Sequence, residues 1–521
     1  MRPYVLLAAL IACRPEAVGE PGGRDNKDIE LAFTEEPILS VPQTGVRLVR
    51  RLTLRTNRPT TVAVELDDGE RQWTLSFSSA EEVHDLAILG LRAGRTVSVV
   101  MTATDVDGDQ LSSIQEIETV DLPAVWPDIR ILTHEVGRVE PGLTLLNMRE
   151  PSSATDQVII IDADGEVVWW REIAEKVVDI RMLDDGTLMA VSNMDIVRLS
   201  MLGDELDHFA VEDDLLRYHH EVAPGPGDGW VTLASKPLLV AGYPASYNDP
   251  NQTEETIIAD DLVLVLDADG QELERWSLAE ILDPTRIGHG SLGTRGDEID
   301  WAHANAVVYD PDEQAYLVSV RHQDAVIKLN SIGELVWILA PNANWEPPLS
   351  DFLLSPVGDE IEASYHQHAS MFGPDGHILA FDNGNNRSSP FTGLPKVRDS
   401  DNASRAVEYH IDEEAMQVSQ TWSHKMTTLG TVYSGQMGDA DYLPQTGNIL
   451  INYGHAGYID GVSNADAGLG DSVIRVVEVD KATGDIVWEV SLDSPIDEVP
   501  LGWSLNRSDR IPDLYGPGGG E

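Results

Sequence analysis

A small set of histidines in this chain recurs with the same neighbours. His303 stands seven residues before Asp310 and His368 seven before Asp375, each on the approach to a Pro/Asp/Gly turn, and His219 and His220 precede a similar turn at Pro224 to Gly229. Asn305 follows two residues after His303, and on the exit side of these hairpins lie Arg321, Asp382, Arg387 and His455. Neutral imidazole can attack an electrophilic centre, and a neighbouring imidazole can supply a proton at the same pH if its surroundings differ. Arginine offers a rigid fork of donors to a tetrahedral oxyanion. Together these residues would form one polar cluster, able to serve nucleophilic, acid–base or anion-binding chemistry. The histidines without such a setting, His84, His134, His208, His289, His377, His410 and His424, read as ordinary core or surface groups.

Bringing such residues to one place requires repetition in the chain. One phrase, an apolar strand, a tight turn and a second strand often closing on Trp, occurs six times: "VIIIDADGEVVWW", "IVRLSMLGDELDHF", "LVLVLDADGQELERW", "VIKLNSIGELVWIL", "VEYHIDEEAMQVSQTW" and "VVEVDKATGDIVWEV". Between the copies runs a second hairpin phrase, seen in "DIRMLDDGTLMAV", "EVAPGPGDGWVTLAS", "HANAVVYDPDEQAYLVSV", "HQHASMFGPDGHILAFDNG" and "DYLPQTGNILINYG". Two hairpins make a four-stranded blade, and blades stacked around an axis bury both faces of each sheet. The expectation is an all-β chain whose residues 125–515 form a six-bladed β-propeller. Functional groups then gather at inner-strand ends, whereas Trp170, Trp276, Trp337, Trp422 and Trp488 pack between blades.

Ahead of the repeats, residues 28–122 alternate apolar and polar between Gly, Asp and Asn turns, as in "RLVRRLTLRTNRPTTVAVELDDG". This segment reads as a small β-sandwich of fibronectin type III-like character. The acidic stretch Asp105 to Asp109 reads as a turn, because no full calcium-ligand loop follows it. Residues 1–12 carry Arg2 and then a short apolar run ending Leu10-Ile11-Ala12-Cys13. That is the form of a lipoprotein signal peptide, with Cys13 as the lipidated residue and residues 13–27 as a tether. The expected location is the bacterial cell envelope, at the outer membrane, with lipid as the only membrane attachment.

Cys13 is the sole cysteine, which excludes an intramolecular disulfide. With 89 acidic and 35 basic residues the formal charge is −54. Such a field repels nucleic acid and anionic lipid, and an anionic substrate needs a concentrated cationic pocket. No glycine-rich phosphate loop opens a helix, so no nucleotide site or other cofactor is indicated. A homodimer is compatible with the sequence.

The strings "DWAHANAVVYD", "SVRHQDAVIKLN", "YHQHASMF", "FDNGNNR", "SRAVEYHIDEE" and "GDADYLPQTGNILINYGH" together resemble the bacterial PAPS-independent arylsulfotransferases, over about residues 125 to 515. The resemblance implies a β-sandwich followed by a six-bladed propeller, and transfer of a sulfuryl group from a phenolic sulfate ester to a phenol through a sulfohistidine. It implies His455 as the nucleophile, with His303, His368 and Arg387 stabilising the transferring group. His219, His220, Asn305, Arg321 and Asp382 are expected to contact substrate. Two other readings compete. A metal hydrolase would use His303, His368 and His455 as ligands, but neither carboxylate partners nor short ligand spacing is evident. A non-catalytic propeller would hold an anionic ligand or a protein partner. The distinguishing feature is whether His455 and Arg387 face the same cavity as His303 and His368.

Overall fold

A computed structural model of the chain describes residues 30–149, 153, 155–173, 176–358, 361–426, 432–456, 458–459, 462–463, 473–493 and 502–516. The signal peptide, Cys13 and the tether expected from the sequence lie outside the described residues.

The chain is all-β, and among the described residues its only α-helix is Leu278–Ile281. Six sheets each contain four antiparallel strands. Their innermost strands are, in turn, Ser504–Ile511, Val177–Met182, Arg217–Pro224, Ala304–Asp310, His368–Phe372 and Asp439–Tyr442. Each inner strand touches the next, and the last touches the first, so the six form a closed ring. This propeller-like ring puts one end of every sheet at a common axis.

Two sheets are completed by distant parts of the chain. The C-terminal strand Ser504–Ile511 pairs with Leu143–Arg149, and Asp128–His134 pairs with Ile486–Asp493. Joining both ends of the ring in this way ties its closure to the whole chain instead of to one local turn.

The apolar runs that read as buried strands are buried. Leu317 and Val318, Leu450 and Ile451, and Val476 and Val477 are all fully enclosed. Large rings fill the wedges between sheets. The Trp337 indole, 1% exposed, donates from Nε1 to Glu413 of the next sheet at 2.7 Å. Trp276 packs edge-on against Tyr316 of the next sheet, with ring centroids 4.9 Å apart. Burying one such indole is worth about 4–6 kcal/mol as an upper bound on area alone.

The N-terminal segment is built from five antiparallel strands, in which the long strand Arg50–Asp67 pairs with three others. Its long strands Arg50–Asp67 and Gln72–Ile88 slip register near Thr60, where such irregularities bend a strand. The sheet encloses its own core around Leu52, Val64, Val97 and Val99. It also docks on the ring: Val46, Val49 and Leu89 share a core with Trp169, and Arg92 pairs with Asp162 at 2.6 Å. The acidic stretch is a turn whose Asp105 and Asp109 pair with Arg58.

Candidate active site

The inner strands do not run in perfect register. Pairing steps from Val177 to Asp179, from His219 to Val222, from Ala304 to Ala306, from His368 to Met371 and from Leu505 to Ser508. The skipped residues therefore include Val178, His220, Asn305, Ala369, Asn506 and Arg507, and all six line one cavity of about 290 Å³. An unpaired residue in a ladder re-aims its side chain, so five bulges in five different sheets point inward at the same space. His220, His303, Ala369 and Met437, all on the cavity wall, also have φ between +50° and +60°. Left-handed backbone at four non-glycine residues of one site is strain held by the surrounding sheets.

His303, Arg321, His368, Arg149 and the segment Gln436 to Gly438 complete the wall. Each histidine is oriented from behind. His303 Nδ1 lies 2.6 Å from Asp300 Oδ2, and His368 Nδ1 lies 2.6 Å from Asn383 Oδ1. The Asn383 amide group donates to the carbonyls of Ser434 and Met437 at 2.7 and 2.8 Å, so its oxygen faces His368 as an acceptor. Both imidazoles thus donate from Nδ1 and keep Nε2 as a lone pair. Burial, with like charge from neighbouring histidines and arginines, holds the pKa values of His220, His303 and His368 well below 6.5. All three are neutral at pH 7.

The cavity is also cationic. Arg149 is bound to Asp156, and Arg507 to Glu221 and Asp439. Arg321 donates to the Gly435 carbonyl at 3.0 Å and, among the described residues, forms no ion pair with a carboxylate. Among the described residues it is the cavity arginine without a direct carboxylate ion pair, in a chain of net charge −54. Behind Arg507 lies a buried acidic group in which burial raises Glu221 to about 7 and Asp439 to about 6.

Of the residues singled out in the sequence, His220, His303, His368, Asn305 and Arg321 line the cavity. His219 sits one layer back, 3.1 Å from His220 and 3.2 Å from Asp261. Arg387 and Asp382 are elsewhere. The Arg387 guanidinium is taken up by Asn402, Ala403, Asp382 and Glu362, and Asp382 also holds Arg405. His455 is half-buried on Ile449–Ala456, the second strand of its sheet, and does not line the cavity. Being the sole histidine of its segment did not bring it to the inner wall, because position on the inner strand, not order along the chain, decides which side chains converge.

Sequence reading passed over Asp300, His322, His366, Asn383 and Arg507. The histidine rings of His220, His303, His322 and His366 follow one another with centroid spacings of 4.9, 4.6 and 5.8 Å. Asp300 corrects the expectation that the histidines lack a carboxylate partner. The signal was present in "DWAHANAV" and "SVRHQDAV", where Asp300 and His322 flank residues already chosen.

The sequence model of the Arylsulfotransferase (ASST) family matches residues 129–500. The arylsulfate sulfotransferase AssT of Escherichia coli O6:H1 is 26% identical over 392 residues, and that of Lelliottia amnigena is 25% identical over 393. Each match covers 64% of this chain and 62% of the relative's length. A solved protein of unknown function from Bacteroides caccae aligns over 70% of this chain and 99% of its own, with 13% identity and a TM-score of 0.41. With the family's model spanning most of the sequence, the chain belongs to the arylsulfotransferase family.

Proposed function

We propose that this protein moves a sulfuryl group from an aryl sulfate to a phenol without a nucleotide donor, in two steps through a histidine of the cavity. The observation that carries this reading is Arg321, a cation with no carboxylate partner among the described residues, facing a space walled by neutral His220, His303 and His368. Sulfuryl transfer, like phosphoryl transfer, spreads charge over peripheral oxygens, and fixed donors there lower the barrier.

His303 is the nucleophile in this reading, in place of His455. Its Nε2 lone pair attacks sulfur, and the S–O bond to the aryl group breaks with its electron pair on the phenolate, which takes a proton from solvent. The sulfated ring gains positive charge, which the Asp300 carboxylate offsets while accepting a hydrogen bond from Nδ1–H. A second phenol then attacks sulfur, loses its proton, and restores the neutral imidazole. Arg321 and Arg507 meet the sulfuryl oxygens. Arg387 acts at a distance, by holding the loop that carries Asn383.

The six sheets are, in this reading, the blades of a six-bladed propeller, with residues 28–122 as a fibronectin type III-like accessory module. Cys13 carries lipid that anchors both in the cell envelope, where aryl sulfates are met without nucleotide donors.

The test is donor turnover with and without a phenol. Acceptor-dependent release of the donor's phenol, reduced about 100–1,000-fold in kcat by Arg321→Gln, supports the reading. Turnover unaffected by that substitution contradicts it.

A further inference from the structure

Beside the cavity lies a group the transfer chemistry only partly uses. Asp300, His303 and His322 each offer one ligand atom, and these three atoms lie within 4.8 Å of one another. Asp300 is 7% exposed, and while its Oδ2 meets His303, its Oδ1 is buried with no hydrogen-bond partner among the described residues. An unpartnered carboxylate oxygen in the interior is costly unless something occupies it.

His322 is arranged as a ligand would be. Its Nδ1 lies 2.7 Å from the Asp300 carbonyl, so that N–H is consumed and Nε2 is left as a lone pair. A ring N–H given to a backbone carbonyl is the usual outer contact of a metal-bound histidine. Space beside Nε2 is kept by Gly290, where a Cβ would come within 2.7 Å of that nitrogen. His303, on the cavity wall, provides the entry path.

We propose that Asp300, His303 and His322 form a site for a divalent transition metal of the zinc type, and that its occupation switches the enzyme off by engaging His303. Two imidazoles and one carboxylate match the ligand preference of such ions, at about 2.0–2.2 Å per bond. Atoms bound to one ion at that distance lie at most about 4.4 Å apart, so the present spacing must close only slightly. The site is distinct from the hydrolase considered at the sequence level, since His368 and His455 take no part. The inhibitory half of the proposal rests on the transferase reading; the binding half does not.

Co²⁺ is the probe, titrated into the full-length protein with visible absorption as the readout. One equivalent should give a saturating band, weakened about 100-fold or more in affinity by His322→Ala and by Asp300→Asn. His377→Ala, which disrupts a pair of rings 4.9 Å apart elsewhere on the fold, should leave the band unchanged. Absence of a one-equivalent band, or a band retained in His322→Ala and lost in His377→Ala, overturns the site. Aryl sulfate turnover should fall in step with band formation and return with chelator; undiminished turnover at full occupancy overturns the switch. If no donor is turned over at all, the transferase reading fails while the Co²⁺ band still decides the metal site.

Discussion

Asn383 accepts a hydrogen bond from His368 Nδ1 at 2.6 Å while its amide nitrogen holds the Ser434 and Met437 carbonyls. One side chain thereby fixes a cavity histidine from the fifth sheet against the segment that enters the sixth. Arg321 and Asn385 hold the same segment through the Gly435 carbonyl. The "FDNGNNR" string thus ties His368 to the segment that enters the sixth sheet.

Replacing Asn383 with Ala should lower kcat/KM about 100-fold, since a displacement of about 1 Å at a reacting group costs that much. The effect should fall mainly on kcat. Asn383→Asp retains the acceptor for His368 but places a carboxylate beside the ring, so it should restore part of the rate and move the acid limb of the pH profile upward. Equal loss in both variants with an unchanged pH profile would reduce Asn383 to a packing role.

The pH profile of the native protein follows from the cavity's histidines. Burial, then His322 and Arg321, hold His303 well below 6.5. A depressed histidine pKa means that the neutral, nucleophilic form persists as pH falls through 6.5 and is lost only below that. Accordingly kcat/KM should stay level from pH 8 to about pH 6 and decline at lower pH. An acid limb centred at 6.5 or above would show that the attacking group is not this buried imidazole.

Contact between sheets can be probed at Gly333, whose φ is +79° and where a Cβ would lie 2.5 Å from the Trp276 ring. Gly333→Ala combines left-handed strain with overpacking and should cost about 2–4 kcal/mol in urea unfolding. Gly447→Ala, at φ +73° with nothing within 4 Å, carries only the first contribution and should cost about 1–2 kcal/mol. Similar losses for the two would remove the Trp276 contact from the account.

Much of the strand layout could be read from the sequence because two-residue alternation and Asp/Gly turns are local signals. The six Trp-type phrases correspond to the outer hairpins of the six sheets, and the five second phrases to inner hairpins. The missing sixth inner hairpin has no phrase because Ser504–Ile511 and Leu143–Arg149 come from opposite ends of the chain. His303 and His368 were legible through their shared spacing to a turn. The bulges that aim His220, Asn305 and Arg507 were not, since a skipped pairing leaves no periodic trace. The roles given to Arg387 and His455 follow from the family resemblance alone, and neither is among the residues that line the cavity.

In the proposed transfer a cavity histidine carries the sulfuryl group. The direct measurement is peptide mass spectrometry of the protein mixed with an aryl sulfate and no acceptor. The expected result is a sulfuryl adduct on the peptide bearing His303, discharged on adding a phenol and absent in His303→Ala. An adduct on the His455 peptide instead, or phenol release with free sulfate and no adduct, would contradict it.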